Sequence, residues 1–128
     1  MAYFRALTGG GSGGISNVAT GVETLTASQQ KTISTGLSSV TKFTIVLTPK
    51  AESSYYWGNS CVYDKDVSSS KYLTFSWNGT TAHGASPSVG SSSGNDRLTS
   101  IKSVSGGDVT VIAPSSSSFC GDYYWYAE

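Results

Sequence analysis

Acidic and imidazole side chains are the first candidates for chemistry, because paired carboxylates or an oriented histidine are what most hydrolytic sites require. Asp64 and Asp66 form a close carboxylate pair, separated by one residue. Alternation along a strand would place both on one face, but Lys65 and the serines at 68–70 indicate a solvated turn. His83 is the single histidine, and its Gly-rich surroundings give it no fixed neighbour. We therefore expect that the protein is not an enzyme.

The sequence also lacks the usual motifs of metal and cofactor sites. A calcium site at Asp64 and Asp66 would be without the third carboxylate and the glycine of the known calcium loop. Cys61 and Cys120 are the only cysteines, too few for a four-thiolate zinc site. The glycine run at 9–14 precedes strand-like sequence, not the helix of a phosphate-binding loop. We expect no metal and no cofactor, and we predict two buried free thiols, with a disulfide as the alternative.

The aromatic residues offer a binding surface instead. Eight tyrosines, three tryptophans and four phenylalanines are more than a chain of 128 residues can bury completely. A Tyr or Trp ring has a flat apolar face and a polar edge, which suits a protein interface or a stacking platform for a sugar. The candidates for ligand or interface contacts are Tyr55, Tyr56, Trp57 and Tyr63. Trp77 and Trp125, in regular strand patterns, are expected to lie in the core.

Charge and composition restrict the class of partner. Eight basic and eight acidic residues give zero formal charge, whereas nucleic acids and anionic membranes bind cationic surfaces. No apolar run is long enough for a membrane-spanning helix. We therefore expect neither nucleic acid nor membrane as a partner. Abundant Ser, Thr and Gly indicate an all-β protein.

The N-terminal residues are predicted to be separate from the rest of the chain. The glycine-rich stretch 9–14 is typical of a flexible tether, so we assign an arm to residues 1–14 and a single domain to residues 15–128. Tyr3, Phe4 and Leu7 are too few to form a core. We predict that they anchor the chain to a partner, and the alternative is a frayed terminus.

Short strand patterns separated by turn residues predict an antiparallel β-sandwich, jelly-roll or Ig-like, of seven to eight strands. Hairpins are predicted over 22–34 and over 103–112, the second turning at Gly106 and Gly107. Segment 55–63 is consistent with one bulged strand or with two short ones. Residues 80–95 are predicted to form a long surface loop, and residues 123–126 a strand covered on both faces.

Two segments alternate clearly enough to predict which face is buried. Between Val40 and Leu47, one face carries Phe43, Ile45 and Leu47. A second segment, ending at the turn Asn78–Gly79, carries a similar set, and we predict that it also points inward: Leu73, Phe75 and Trp77.

Four features together resemble the small β-sandwich virion proteins of tailed bacteriophages, of the decoration, head-fibre or tail-fibre tip type. They are the glycine-rich start, Gly-Leu-x-x-Val-x-x-Phe-x-Ile at 36–45, Ser-Gly-Gly-Asp-Val-Thr-Val at 105–111, and Tyr-Trp-Tyr-Ala at 124–127. The resemblance implies a non-enzymatic, oligomeric protein located on the virion, attached through its N-terminus, whose partners are other copies of itself and other virion proteins. Lectin-like domains resemble the chain almost as well, which implies the alternative of an adhesion module that binds a host surface glycan.

Overall fold

A computed structural model describes residues 17–52, 54–90 and 95–128, which form ten β-strands and no α-helix. The strands are β1 (Ala19–Leu25), β2 (Gln30–Ser34), β3 (Lys42–Leu47), β4 (Lys50–Glu52), β5 (Tyr55–Asp64), β6 (Leu73–Trp77), β7 (Ala82–Ala85), β8 (Ser100–Ser105), β9 (Asp108–Ile112) and β10 (Gly121–Ala127). A 3₁₀ turn at Ser117–Phe119 precedes β10. The proposed anchor residues Tyr3, Phe4 and Leu7 lie outside the described residues. None of the described ranges contains a helix of the length and apolarity needed to span a bilayer.

The strands form a β-sandwich of two antiparallel sheets, which confirms the predicted fold class. The larger sheet has the order β1-β10-β3-β5-β6-β7, with β4 added beside β5, and the smaller has the order β2-β9-β8. The predicted number of seven to eight strands is too low. Two of the added strands are the short β4, which follows Pro49, and β7, which lies inside the predicted surface loop.

The core fills the space between the sheets. Phe43, Ile45 and Leu47 of β3 are at most 1% exposed, so the predicted inward face of this strand is confirmed. Burial of such side chains stabilises the fold by roughly 1.5–3 kcal/mol each. Most of the rest of the core comes from six other strands and from three residues between strands: Leu25, Ile33, Val40, Cys61, Tyr63, Tyr72, Ile101, Val109, Val111, Cys120, Tyr123 and Trp125.

The predicted hairpin over 22–34 is wrong, because β1 and β2 belong to different sheets. β1 pairs with β10 and β2 pairs with β9. The turn between them exists: Gln29 N donates to Thr26 O at 3.0 Å, and Ser28 has a positive φ of 61°. Leu25 and Ile33 on either side are both 1% exposed. The turn thus connects the two sheets, and the two flanking apolar residues enter the core from opposite sheets.

β6 faces the opposite way from the prediction. Its buried side chains are Thr74 and Ser76. Thr74 Oγ1 donates to the main-chain oxygen of Thr99 at 2.7 Å, because the layer beneath this strand is a loop whose carbonyl needs a donor. The predicted alternation is present, but the buried face is the opposite one. Three large side chains are left on the outer surface: Leu73, Phe75 and Trp77.

The predictions for β5, for two turns and for β10 are partly confirmed. β5 is a single strand, which settles the alternative left by the sequence. Gly106–Gly107 joins β8 to β9, as predicted. A turn also begins at Asn78–Gly79, as predicted, but it leads into β7, where the sequence predicted a surface loop. The predicted coverage of both faces of β10 is wrong, because Tyr123 and Trp125 are buried but Tyr124 is exposed.

The turn of the β8–β9 hairpin packs tightly on the chain between β2 and β3. Thr35 N donates to Gly107 O and Val40 N to Gly106 O, both at 3.0 Å. A Cβ atom at position 107 would lie 1.9 Å from the main-chain oxygen of Leu37. Gly107 is therefore required by close backbone packing.

We predict that Gly107→Ala lowers the free energy of unfolding by about 2 kcal/mol, since the added methyl group forces the backbone apart. Gly58→Ala is the matched control: its Cβ would meet no atom closer than Trp77 Cε3 at 3.9 Å, so its stability should stay within about 0.5 kcal/mol of the wild type. Urea denaturation measures both. Equal stability of the two variants would show that the contact at Leu37 does not hold the hairpin.

Candidate functional site

The outer surface of the larger sheet carries a continuous row of uncharged residues. The strand register places one outward residue of each strand beside the next, in the order Val22, Tyr124, Val46, Ser60, Phe75 and Gly84. Tyr124 is 59% exposed and Phe75 is 45% exposed. Neighbouring side chains in such a row are about 5 Å apart. The row therefore forms one contact surface that crosses six strands.

Residues one row away extend this surface. Trp77 lies opposite Gly58 on one side and Ala82 on the other, and Tyr56, two residues before Gly58, is 64% exposed. Leu73 extends the surface at the other end of β6. We call the resulting patch the aromatic face, and its members are Val22, Val46, Tyr56, Leu73, Phe75, Trp77 and Tyr124. An exposed apolar patch with polar surroundings marks an interaction site on a protein surface.

A groove of about 530 Å³ runs over β5 within the aromatic face. Its floor includes Gly58 and Ser60, whose small side chains leave space between the larger groups of the neighbouring strands. Val46 and Pro49 line one side, and Phe75 and Trp77 line the other. Tyr56 is the next outward residue along β5. The groove therefore combines an apolar lining with exposed aromatic rings.

Polar residues beneath β5 and β6 hold this region in place. Asn59 Nδ2 donates to Arg97 O, and Thr99 Oγ1 donates to Asn59 Oδ1, both at 2.8 Å. Thr74 bonds to the same loop through Thr99 O. These groups are buried, and a satisfied buried network gives a strand pair one rigid arrangement. The two strands that carry Tyr56, Phe75 and Trp77 are thus fixed from the inside.

Titratable groups of the adjoining core are held in their neutral forms. Burial raises the pKa of the Cys61 thiol, and hydrogen bonding to Thr74 opposes this only partly. Burial likewise raises the pKa of the Tyr123 hydroxyl, which donates to Phe119 O. Both cysteines are buried and free, so the predicted free thiols are confirmed.

The predicted ligand or interface aromatics divide into three groups. Tyr55 and Tyr56 are exposed, as expected. Trp57 is half-buried: its Nε1 donates to Glu52 O at 2.9 Å, and its ring meets Phe119 edge-on at 4.9 Å between centroids. Tyr63, the fourth candidate for ligand or interface contacts, does not lie on the surface. It is 4% exposed because it shares the inward side of β5 with Asn59 and Cys61.

The acidic pair and the histidine do not meet. Asp66 N donates to Asp64 Oδ1 at 3.0 Å, and Ser68 N donates to Asp64 O at 2.9 Å, which is the hydrogen bonding of a turn. His83 lies on β7 opposite Ser76, and not in a loop. Among residues 17–52, 54–90 and 95–128, no cluster of three or more His, Cys, Asp or Glu could hold a metal ion.

Comparisons of the chain with protein-family models, with curated proteins and with solved structures give no match. The role of the aromatic face must therefore follow from its own geometry. Sequence reasoning missed Phe75, Trp77 and Tyr124 as surface residues. One feature of the sequence could have indicated this exposure. Thr74 and Ser76 alternate with the apolar residues of β6, and small polar residues of this kind can face a polar buried layer as well as solvent.

We predict that stability falls as pH rises from about 9 to about 11. In the unfolded chain, Cys61 and Tyr123 lose their protons near their ordinary pKa values of 9.0 and 10.0, whereas the folded state keeps them. The unfolded state then binds fewer protons than the folded state, so the free energy of unfolding decreases with pH. Urea denaturation at a series of pH values measures this slope.

The double variant Cys61→Ala with Tyr123→Phe is the control for that slope. It is expected to be less stable at neutral pH, but to lose less further stability between about pH 9 and 11, since the two groups no longer titrate. A slope equal to that of the wild type would show that other groups cause the alkaline loss.

Proposed function

We propose that this chain is a structural protein of a bacteriophage virion, displayed on the particle surface as a capsid decoration, head-fibre or tail-fibre component. It acts by binding neighbouring subunits, including copies of itself, and not by catalysis. The observation that carries the proposal is the aromatic face, whose seven uncharged members lie on five strands of the larger sheet. The resemblance of segments 36–45, 105–111 and 124–127 to small phage virion proteins supplies the biological setting.

The composition of the aromatic face supports a role in protein contact. The centres of protein interfaces are enriched in Tyr, Trp and Phe and depleted of charge, and their rims are polar. Here Phe75 and Tyr124 lie in the row described above, while Thr24 and Asp122 lie at its margin, joined by a hydrogen bond of 2.6 Å. The Asp122 carboxylate thus accepts a hydrogen bond from within the chain. None of the seven members of the aromatic face carries a charge that a partner would have to bury.

The balance of charge supports dense packing of copies. Zero formal charge removes the repulsion that keeps strongly charged proteins apart. The proposed N-terminal anchor, Tyr3, Phe4 and Leu7, would supply a second contact on the glycine-rich tether. Two linked contacts bind far more tightly than either alone, because the second forms within an already joined complex.

We predict that Phe75→Lys and Tyr124→Lys each reduce incorporation into phage particles by at least about tenfold, because each places an unpaired charge in the covered surface. Val67→Lys is the matched control, since Val67 is 84% exposed but lies in the turn after β5. Immunoblots of purified particles, produced with each variant in place of the wild type, measure incorporation. Circular dichroism confirms that each variant is folded.

Two results would contradict the proposal. The first is that both aromatic-face variants enter particles as efficiently as the wild type, which would show that the face is not an assembly contact. The second is that the wild-type protein is abundant in lysates but missing from purified particles, which would show that it is not a virion protein.

The groove favours a second candidate function, recognition of a glycan on the host cell surface. A sugar ring stacks on exposed aromatic faces, and Tyr56, Phe75 and Trp77 present such rings beside a floor of small residues. Two residues that carry hydroxyl groups, Tyr56 and Ser60, are among those that line the groove. This arrangement suits a neutral sugar, because the groove lining includes no Lys, Arg, Asp or Glu.

If the groove binds glycan, Tyr56→Ala and Trp77→Ala should each weaken binding on a glycan array by at least about tenfold, the effect of losing one stacking contact of about 1.4 kcal/mol. Tyr124→Ala is the matched control, because it removes a tyrosine from the same face but outside the groove. Equal loss in all three variants, or no binding of the wild type to any host glycan, would reject this second function.

A further inference from the structure

We propose that β7, at the edge of the larger sheet, pairs antiparallel with β7 of a second copy of this chain and joins the two sheets into one. The inference rests on the proposed function, in which the protein binds copies of itself. It adds the strand through which two copies bind. It depends on the main-chain geometry of residues 82–88.

Three hydrogen bonds fix which main-chain groups of this segment are already used. Asn78 N donates to Thr81 O at 3.1 Å, Tyr72 N donates to Pro87 O at 3.2 Å, and Val89 N donates to Ser70 O at 2.8 Å. In an antiparallel ladder the bonded residues alternate along the strand. The odd-numbered residues from 81 to 89 therefore face β6 and its extension. The main-chain groups of four exposed residues point away from the sheet: Ala82, Gly84, Ser86 and Ser88.

The one proline of this segment does not block the outer edge. Proline has no N–H, and on an edge strand it usually prevents further pairing. Pro87, however, takes a position that faces the chain before β6, where its carbonyl accepts from Tyr72. Each of the four outward-facing residues keeps its N–H. The edge remains able to donate and accept along its full length.

The strand edges of β1, β2 and β8 carry features that discourage pairing. On the opposite edge of the larger sheet, Glu23 of β1 points toward the second sheet and lies 3.4 Å from Lys31 of β2. A strand added to either would have to desolvate these charges. β8 is interrupted by a bulge between Ile101 and Ser103, beside Lys102. In contrast, residues 82–88 include no Lys, Arg, Asp or Glu.

A second copy fits this edge because the segment is complementary to itself. With the two-fold axis at Ala85, Ala82 lies opposite Ser88 of the second copy, and Gly84 lies opposite Ser86 of the second copy. All four outward-facing positions then form bonded pairs, giving about eight main-chain hydrogen bonds at two per pair. Such a symmetric contact closes as a dimer and leaves no open end.

The pairing also extends the aromatic face. Gly84 is the last residue of the uncharged row and lies directly beside Phe75. A two-fold axis perpendicular to the sheet keeps the outer surfaces of both copies on the same side. The dimer would therefore present two aromatic faces side by side on one larger sheet, a broader surface for the next subunit.

Sedimentation velocity over a range of protein concentrations tests the proposal on the full chain. We expect a dimer, and we expect Ser86→Pro and Ser86→Lys each to raise its dissociation constant by at least about tenfold. Ser86→Pro removes one outward-facing N–H, and Ser86→Lys adds a charge without altering the main chain. Ser69→Lys is the matched control, since it adds the same charge at an exposed turn position off the edge, and it should leave the dimer unchanged.

Cross-linking locates the contact. Ala85→Cys places a thiol at the two-fold axis, where opposed Cα atoms of a non-bonded pair are about 4.5 Å apart, within the range for a disulfide. We expect mild oxidation to join two copies of this variant. Thr80→Cys, in the turn that follows β6, is the control and should not cross-link at the same rate.

The outcomes separate this inference from the proposed function. A chain that enters particles normally but stays monomeric at all concentrations, or a dimer unaffected by both Ser86 variants, would overturn the β7 contact alone. A dimer that requires Ser86 but is missing from virions would support the contact and overturn the virion assignment.

Discussion

The unequal size of the two sheets is the constraint on which the surface of this protein depends. A three-stranded sheet cannot cover the inner side of a seven-stranded one, so a loop covers part of it, at residues 97–99 beneath β5 and β6. Loop carbonyls that are removed from water need donors. Asn59 and Thr74 supply them, and Thr99 bonds back to Asn59. The inner side of these strands is polar because its neighbour is a loop and not a sheet.

This inner polarity determines what the outer side carries. Successive side chains of a strand point to opposite faces, so Thr74 and Ser76 inside require Leu73, Phe75 and Trp77 outside. The same rule on β5 puts Asn59 and Cys61 inside and leaves Gly58 and Ser60 as the floor of the groove. The outward position of the apolar side chains thus follows in part from the interior hydrogen bonds of Asn59 and Thr74, whereas Ser76 Oγ is buried without a hydrogen-bond partner among the described residues.

The sequence predicted the fold class and several turns for identifiable reasons. The alternation at 40–47 and the turns at Asn78–Gly79 and Gly106–Gly107 depend on local chemistry, which the sequence contains in full. The failures have a common cause. Period two defines two faces but not which is buried, and a turn defines a reversal but not whether the flanking strands pair. Both questions depend on which distant segment lies beneath a strand, as Thr99 does for β6.

The same limit applied to the aromatic residues. Tyr55 and Tyr56 lie in a segment rich in polar neighbours, and their exposure could be predicted from that. Tyr63 and Tyr124 could not be assigned in this way, because each occupies a strand in which aromatic residues sit on both sides. Only the pairing of β5 with β3, and of β10 with β1 and β3, decides that Tyr63 points inward and Tyr124 outward.

The aromatic face and the open edge depend on one register. The hairpin over residues 71–88 keeps a constant pairing, from the bridge between Lys71 and Ser88 to the pair Trp77 and Ala82 at its turn. That register puts Phe75 on the outer surface, and it also puts Pro87 on the bonded side of β7. A slip of one residue between the strands would turn the donors of Gly84 and Ser86 toward β6 and present the proline to the edge. The four-residue turn at Asn78, where the side-chain oxygen accepts from Thr81 N at 2.9 Å, prevents that slip. A single polar turn therefore sets both the apolar surface and the strand edge through which we infer that copies of this protein meet.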